Sequence, residues 1–184
     1  MHQNIDVIDA LPASCHLPAA RHVEPLEQGS MDNFCGLYAA INALRLETPK
    51  SARRDRTLFE AGVGYLEKKE WLSTVLTEGM PNRLFAELAR HLAGKHDLQI
   101  ERIVSSRKRH RPEEAIMRAI AAGVPVLTSI DPPLDHYSVI CGYSPTRWLL
   151  FDSYGYKWLS RAHCSFGQHK NARHTLRTWA MIGV

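Results

Sequence analysis

The hydrophobic pattern of this chain changes period at Gly123. Before it, apolar residues recur at helical spacing. After it come short runs rich in β-branched and aromatic residues, the pattern of strands. Helices are expected over 33–46, 56–70, 81–93 and 112–122. Pro81 and Pro112 open the last two, and Gly123 closes the series. Strands are expected over 98–105, 124–130, 136–143, 147–152 and 175–183. Helices followed by strands predict an α+β fold with an antiparallel sheet. Residues 1–27, with Pro12, Pro18 and Pro25, read as an irregular lead-in, and 48–56 as a polar connection. The 184 residues contain no internal repeat and fit a single domain spanning 1–184 with a sizeable core.

The helix at 33–46 carries the chemistry. Phe34, Leu37, Tyr38, Ile41 and Leu44 mark its buried face, and Asp32 or Asn33 is a ready N-cap. Cys35 therefore falls in the first turn. There the helix dipole and unpaired N–H groups favour an anion, and a thiol loses its proton most easily. Taken alone, a cysteine at such a place is more often a small buried hydrophobe than a catalyst.

A cysteine nucleophile needs a base, and the base needs an orienting partner. His136 begins a strand just after the rigid loop Asp131-Pro132-Pro133-Leu134-Asp135. The following strand ends at Asp152. A hairpin folded about Ser144 sets residue 136 opposite residue 152, within reach of an imidazole–carboxylate hydrogen bond. Asp135 is the rival acid. Neighbours on a strand point to opposite faces, which favours Asp152.

Gln28-Gly29 ahead of Cys35-Gly36, then His136, then Asp152-Ser153-Tyr154-Gly155, resembles the papain-like cysteine peptidases in chain order. The run His136-Tyr137-Ser138-Val139-Ile140-Cys141-Gly142-Tyr143 is most similar to the bacterial C39-like members of that group. The resemblance covers roughly residues 25–156. The residues flanking Cys35 depart from the plant enzymes' pattern, and Asp152 stands where papain itself has asparagine. The resemblance implies a papain-like fold, with the nucleophile helix in an N-terminal helical part and a C-terminal antiparallel sheet. It implies a thiol hydrolase acting on peptide or isopeptide bonds of a peptide or protein substrate, in a narrow cleft suited to small residues such as glycine. It assigns Cys35 as nucleophile, His136 as its ion-pair partner and proton donor, and Asp152 as the group that orients His136. Gln28 and the Cys35 N–H would form the oxyanion hole. The same triad serves amide transfer or glutamine deamidation, and a fold of this kind also persists as a binding module without turnover.

Other features point to simpler roles. The four cysteines, at 15, 35, 141 and 164, include no C-x-x-C pair and are expected as free thiols. Cys141 reads as core, as do Trp148, Trp158 and Trp179. Tyr154, Tyr156 or Trp158 is placed to shield a His–Asp bond. His163, Cys164, His169 and His174 fit no common zinc template, so no metal and no cofactor is expected. Gly62-x-Gly64 follows no strand and is no dinucleotide motif. Net charge is +4, and the basic run Arg107-Lys108-Arg109-His110-Arg111 reads as a solvated loop. It has no interleaved aromatic residues, which disfavours nucleic acid as a partner. No segment is apolar enough for a membrane span, and the N-terminus lacks the pattern of a signal peptide. A cytoplasmic location is expected, with export by a signal-less route as the alternative. Oligomeric state is open.

Overall fold

The computed structural model describes residues 11–47, 52–103, 111–167 and 172–183. Most of the basic run at 107–111, His169 and residues 1–10 lie outside that set. The described chain is a mixed α and β fold in which helices pack on an antiparallel sheet.

In chain order the elements are β1 (Cys15–His16), α1 (Cys35–Glu47), α2 (Ala52–Lys68), α3 (Leu72–Glu78), α4 (Asn82–Ala93), β2 (Leu98–Ile103), α5 (Pro112–Ala121), β3 (Val126–Ile130), β4 (His136–Tyr143), β5 (Arg147–Phe151), β6 (Trp158–Ser160), β7 (Cys164–Ser165) and β8 (His174–Gly183). The sheet runs β2-β8-β3-β4-β5-β6, with β1 on β4. Among the described residues the one parallel pairing is the short ladder of β7 on β8.

Helix α1 is the centre of the molecule. Of its predicted stripe, Phe34, Leu37, Ile41 and Leu44 are buried and Tyr38 is half-buried, but Ala39, Ala40 and Ala43 on its other sides are buried too. A helix apolar all round belongs inside a core, between a sheet and other helices. Gly36 lets the cleft wall come close: a Cβ there would stand 3.2 Å from Met80 Sδ and 3.2 Å from Phe85 Cδ2.

Two helices depart most from expectation. Helix α2 begins at Ala52, inside the stretch expected as a connection. Asp55 in its first turn pairs with Arg45 of α1, and both side chains are largely buried. That tertiary ion pair and the favourable dipole position of Asp55 extend the helix into polar sequence. Helix α3 is short and lacks a long apolar period, which hid it from pattern reading. Asn33 holds it in place, donating from Nδ2 to the carbonyls of Leu76 and Thr77 at 3.0 Å each.

The lead-in is less irregular than its prolines suggest. Cys15 and His16 pair with Tyr143 and Gly142 at the end of β4 remote from His136. Asn42, fully buried on α1, accepts from Leu26 N at 2.7 Å and donates to Leu26 O at 3.1 Å. Residues 11–27 thus pack along the domain instead of over Cys35.

Candidate active site

Cys35 opens α1. Asp32, not Asn33, supplies the cap: its Oδ1 accepts from Phe34 N at 3.0 Å. The remaining backbone N–H groups of that turn have no acceptor within the helix. The thiol is nearly buried, and it forms part of a cleft of about 400 Å³ with Trp71, Glu78, Met80, Asp135 and Tyr137. Two contacts hold the far wall: Asn33 on α3, and the Tyr137 hydroxyl, which donates to Met80 O at 2.6 Å. Pattern reading does not single out Trp71 or Glu78 and reads Asn33 only as a cap, because their place beside Cys35 depends on how α3 docks.

His136 starts β4, buried. Its Nε2 lies 2.8 Å from Asp152 Oδ2. Cys35 is near enough to the same imidazole to act on its charge. With Nε2 taken by Asp152, Nδ1 is the ring nitrogen left for the thiol. Burial opposes a charged ring, but the hydrogen bonds and charges of Asp152 and Cys35 outweigh it and raise the His136 pKa to about 9. At neutral pH the ring is therefore an imidazolium.

Asp152 is buried just past the end of β5. Burial pushes its carboxyl up, yet the His136 hydrogen bond and charge win, and its pKa lies below the ordinary value. Its second oxygen, Oδ1, accepts from Tyr154 N at 2.8 Å and Tyr156 N at 3.1 Å. Those bonds fold the 153–156 turn, and they bring the Tyr156 and Tyr154 rings to 5.5 Å and 6.3 Å from the His136 ring. Asp135 does not share this role. It sits at φ 46° before the strand and contributes its carboxylate to the Cys35 cleft.

The hairpin register differs from the expected one. Val139 pairs with Phe151, and continuing that ladder sets Asp152 opposite Ser138, two positions from His136. The bond to His136 is diagonal.

Gln28 lies between the two halves of the site. Its backbone N–H donates to Ser153 O at 2.9 Å, and its Nε2 to Asp32 O at 2.7 Å. The second Nε2 hydrogen remains for another acceptor. Gln28 Oε1 is buried with no hydrogen-bond partner among the described residues.

The other thiols sit in different surroundings. All four cysteines are free. Burial pushes Cys141 up to about 12 and Cys164 up to about 11. Trp148 and Trp179 are core, whereas Trp158 is 47% exposed and stacks under the Arg147 guanidinium at 4.2 Å. The reading of Trp158 as packing is thereby corrected. Among the described residues no group of three or more His, Cys, Asp or Glu side chains is placed to hold a metal ion, and no helix is long and apolar enough to cross a membrane.

No protein-family model matches the chain, and no curated protein matches it.

Proposed function

We propose that this protein is a papain-like thiol hydrolase that cleaves peptide or isopeptide bonds in peptide or protein substrates. The observation that carries the reading is one imidazole, His136, bonded to buried Asp152 and within electrostatic reach of Cys35, with Cys35 at a helix N-terminus and on a cleft.

The geometry supports this sequence of steps. An imidazolium beside a thiol stabilises the thiolate as an ion pair. A lone pair of Cys35 Sγ forms an S–C bond to the substrate carbonyl carbon, and the π pair of the C=O bond passes to the oxygen. The Cys35 N–H and the free hydrogen of Gln28 Nε2 receive that oxyanion. As the tetrahedral centre collapses, the C–N bond breaks and His136 gives its Nδ1 proton to the leaving amine. A thioester remains. Neutral His136 takes a proton from water, the hydroxide attacks the thioester, and the acid product leaves Cys35 as thiolate beside a recharged His136. Asp152 keeps the ring oriented throughout and balances its charge.

The test is a diverse peptide pool incubated with the protein and with Cys35→Ala. New peptide termini that require Cys35 support the reading. A mass gain of about one dalton without new termini would replace proteolysis by deamidation, and a Cys35-dependent amine adduct would replace it by transfer. Absence of any product that depends on Cys35 would sink it.

A further inference from the structure

A second, larger groove begins at the edge of the His136–Asp152 pair. It encloses about 600 Å³ and is lined by Leu134, Arg147, Tyr156, Trp158, Arg173 and His174 among others. Leu134 lies two residues before His136, and Tyr156 is the ring 5.5 Å from the imidazole. Tyr156 therefore borders both the groove and the His136 ring, and Leu134 of the groove adjoins Asp135 of the Cys35 cleft.

Its chemistry is one-sided. Among its lining residues there is no carboxylate. Neither Arg147 nor Arg173 forms an ion pair among the described residues. Trp158 and Tyr156 expose 47% and 37% of their surface in it, unusual for large rings on a chain with a well-filled core. The Arg147 guanidinium carbon stands 4.2 Å from the Trp158 ring centroid, a cation–π contact that positions the guanidinium beside the groove. His174 Nδ1 is buried there without a hydrogen-bond partner among the described residues. The Cys35 cleft has the opposite character, with Glu78 and Asp135 and no cation in its lining.

We infer that the Arg147–Trp158–Arg173 groove is an exosite that binds an acidic segment of the substrate polypeptide, adjoining the bond presented to Cys35. Two guanidiniums match a pair of carboxylates in bidentate fashion. Two fixed charges are few for a polynucleotide, which is held through many phosphates. The exposed rings add apolar contact for side chains between the acidic ones. The inference rests on the thiol-hydrolase reading only for the identity of the occupant; the groove itself is independent of turnover.

The experiment measures binding, with Cys35→Ala protein and a short fluorescein-labelled peptide of glutamate and tyrosine. Controls are the same peptide with glutamine for glutamate and a labelled single-stranded oligonucleotide. The acidic peptide should bind at least about tenfold more tightly than its glutamine form, and the advantage should shrink with added salt. Arg147→Gln with Arg173→Gln should abolish the preference, and Trp158→Ala should weaken binding of both peptides. These residues are exposed or half-exposed, and unchanged thermal unfolding checks that each variant is folded. Cleavage of a minimal activated thioester, too small to reach the groove, should be unaffected by the arginine substitutions in otherwise wild-type protein. Equal binding of the glutamine peptide, or an acid preference that survives both arginine substitutions, would overturn the exosite. So would an oligonucleotide that outcompetes the acidic peptide through the same arginines. Loss of thioester turnover only in Cys35→Ala, together with no acid preference, would leave the hydrolase standing and remove the exosite. Binding without any Cys35-dependent chemistry would do the reverse.

Discussion

His136 and Asp152 face each other because of one extra residue in β4. Next to the turn, Tyr143 pairs with Trp148 and Gly142 with Leu149; beyond a bulge, Ile140 pairs with Leu150 and Val139 with Phe151. Cys141 is the residue without a partner. Had the first register continued, Asp152 would stand opposite Val139, on the face His136 does not use. The bulge shifts the count by one and returns Asp152 to the face of Ser138 and His136. From there a diagonal reach closes the 2.8 Å bond.

Beside the bulge, Gly142 lets β1 lie close against β4. A Cβ there would lie 2.7 Å from the Cys15 carbonyl oxygen, a backbone atom that cannot step aside. Gly142→Ala should destabilise the fold by about 1–3 kcal/mol, as overpacking does. On the proposed mechanism it should also lower kcat, since β1 and the register move together. Denaturant unfolding and steady-state kinetics measure the two effects.

The thiols should differ sharply in reactivity. On the proposed mechanism Cys35, beside the His136 imidazolium, reacts with an iodoacetamide probe at neutral pH. Cys141 and Cys164, pushed up to about 12 and about 11 by burial, should stay unlabelled in the folded protein. Peptide mapping after brief labelling of the protein and of Cys35→Ser reads this out. Comparable labelling of Cys141 would contradict it.

Activity should fall on the alkaline side as His136 loses its proton, with a limb near pH 9. The pair also links stability to pH. His136 is raised from 6.5 to about 9, so its contribution is full below 6.5 and is lost as pH rises through about 9. Asp152 is lowered from 3.8, so its contribution is present above 3.8 and lost as pH falls through its lower folded value. Asp152→Asn removes the charge and keeps the shape. It should shift the alkaline limb toward neutrality and cost roughly 10²–10⁴ in kcat/KM. An unmoved limb would show that Asp152 does not tune His136.

Gln28→Ala should lower kcat by about 10²–10³ with little change in KM, the behaviour of a lost oxyanion donor. Its backbone bond to Ser153 survives the substitution, so folding should be preserved. A change confined to KM would assign Gln28 to ground-state binding instead.

Asn42→Ala should cost about 2–4 kcal/mol of stability, because it strands the buried polar groups of Leu26. Limited proteolysis should then cut first within residues 11–27. Resistance equal to the parent would show that β1 alone secures the lead-in.

Much of the scaffold was legible from local pattern. The span of β4 matches the expected 136–143, and α1, α4 and α5 fall within two residues of their expected limits. The reason is that alternation, helical period, prolines and glycines act within a few residues of themselves. Cys35 at a helix start is likewise local information. What pattern could not reach depends on partners distant in the chain. Arg45 draws α2 forward to Ala52, and Asn33 gives α3 its place. The turn closes between Ser144 and Arg147 instead of about Ser144, and the unpartnered Cys141 recovers one residue of that offset, so Asp152 meets His136 diagonally and not straight across as the symmetric hairpin predicted. Hydrophobic period decides which segments become helix or strand. Register, docking and the opposite charge of the two grooves follow only when those segments compete for contacts in three dimensions.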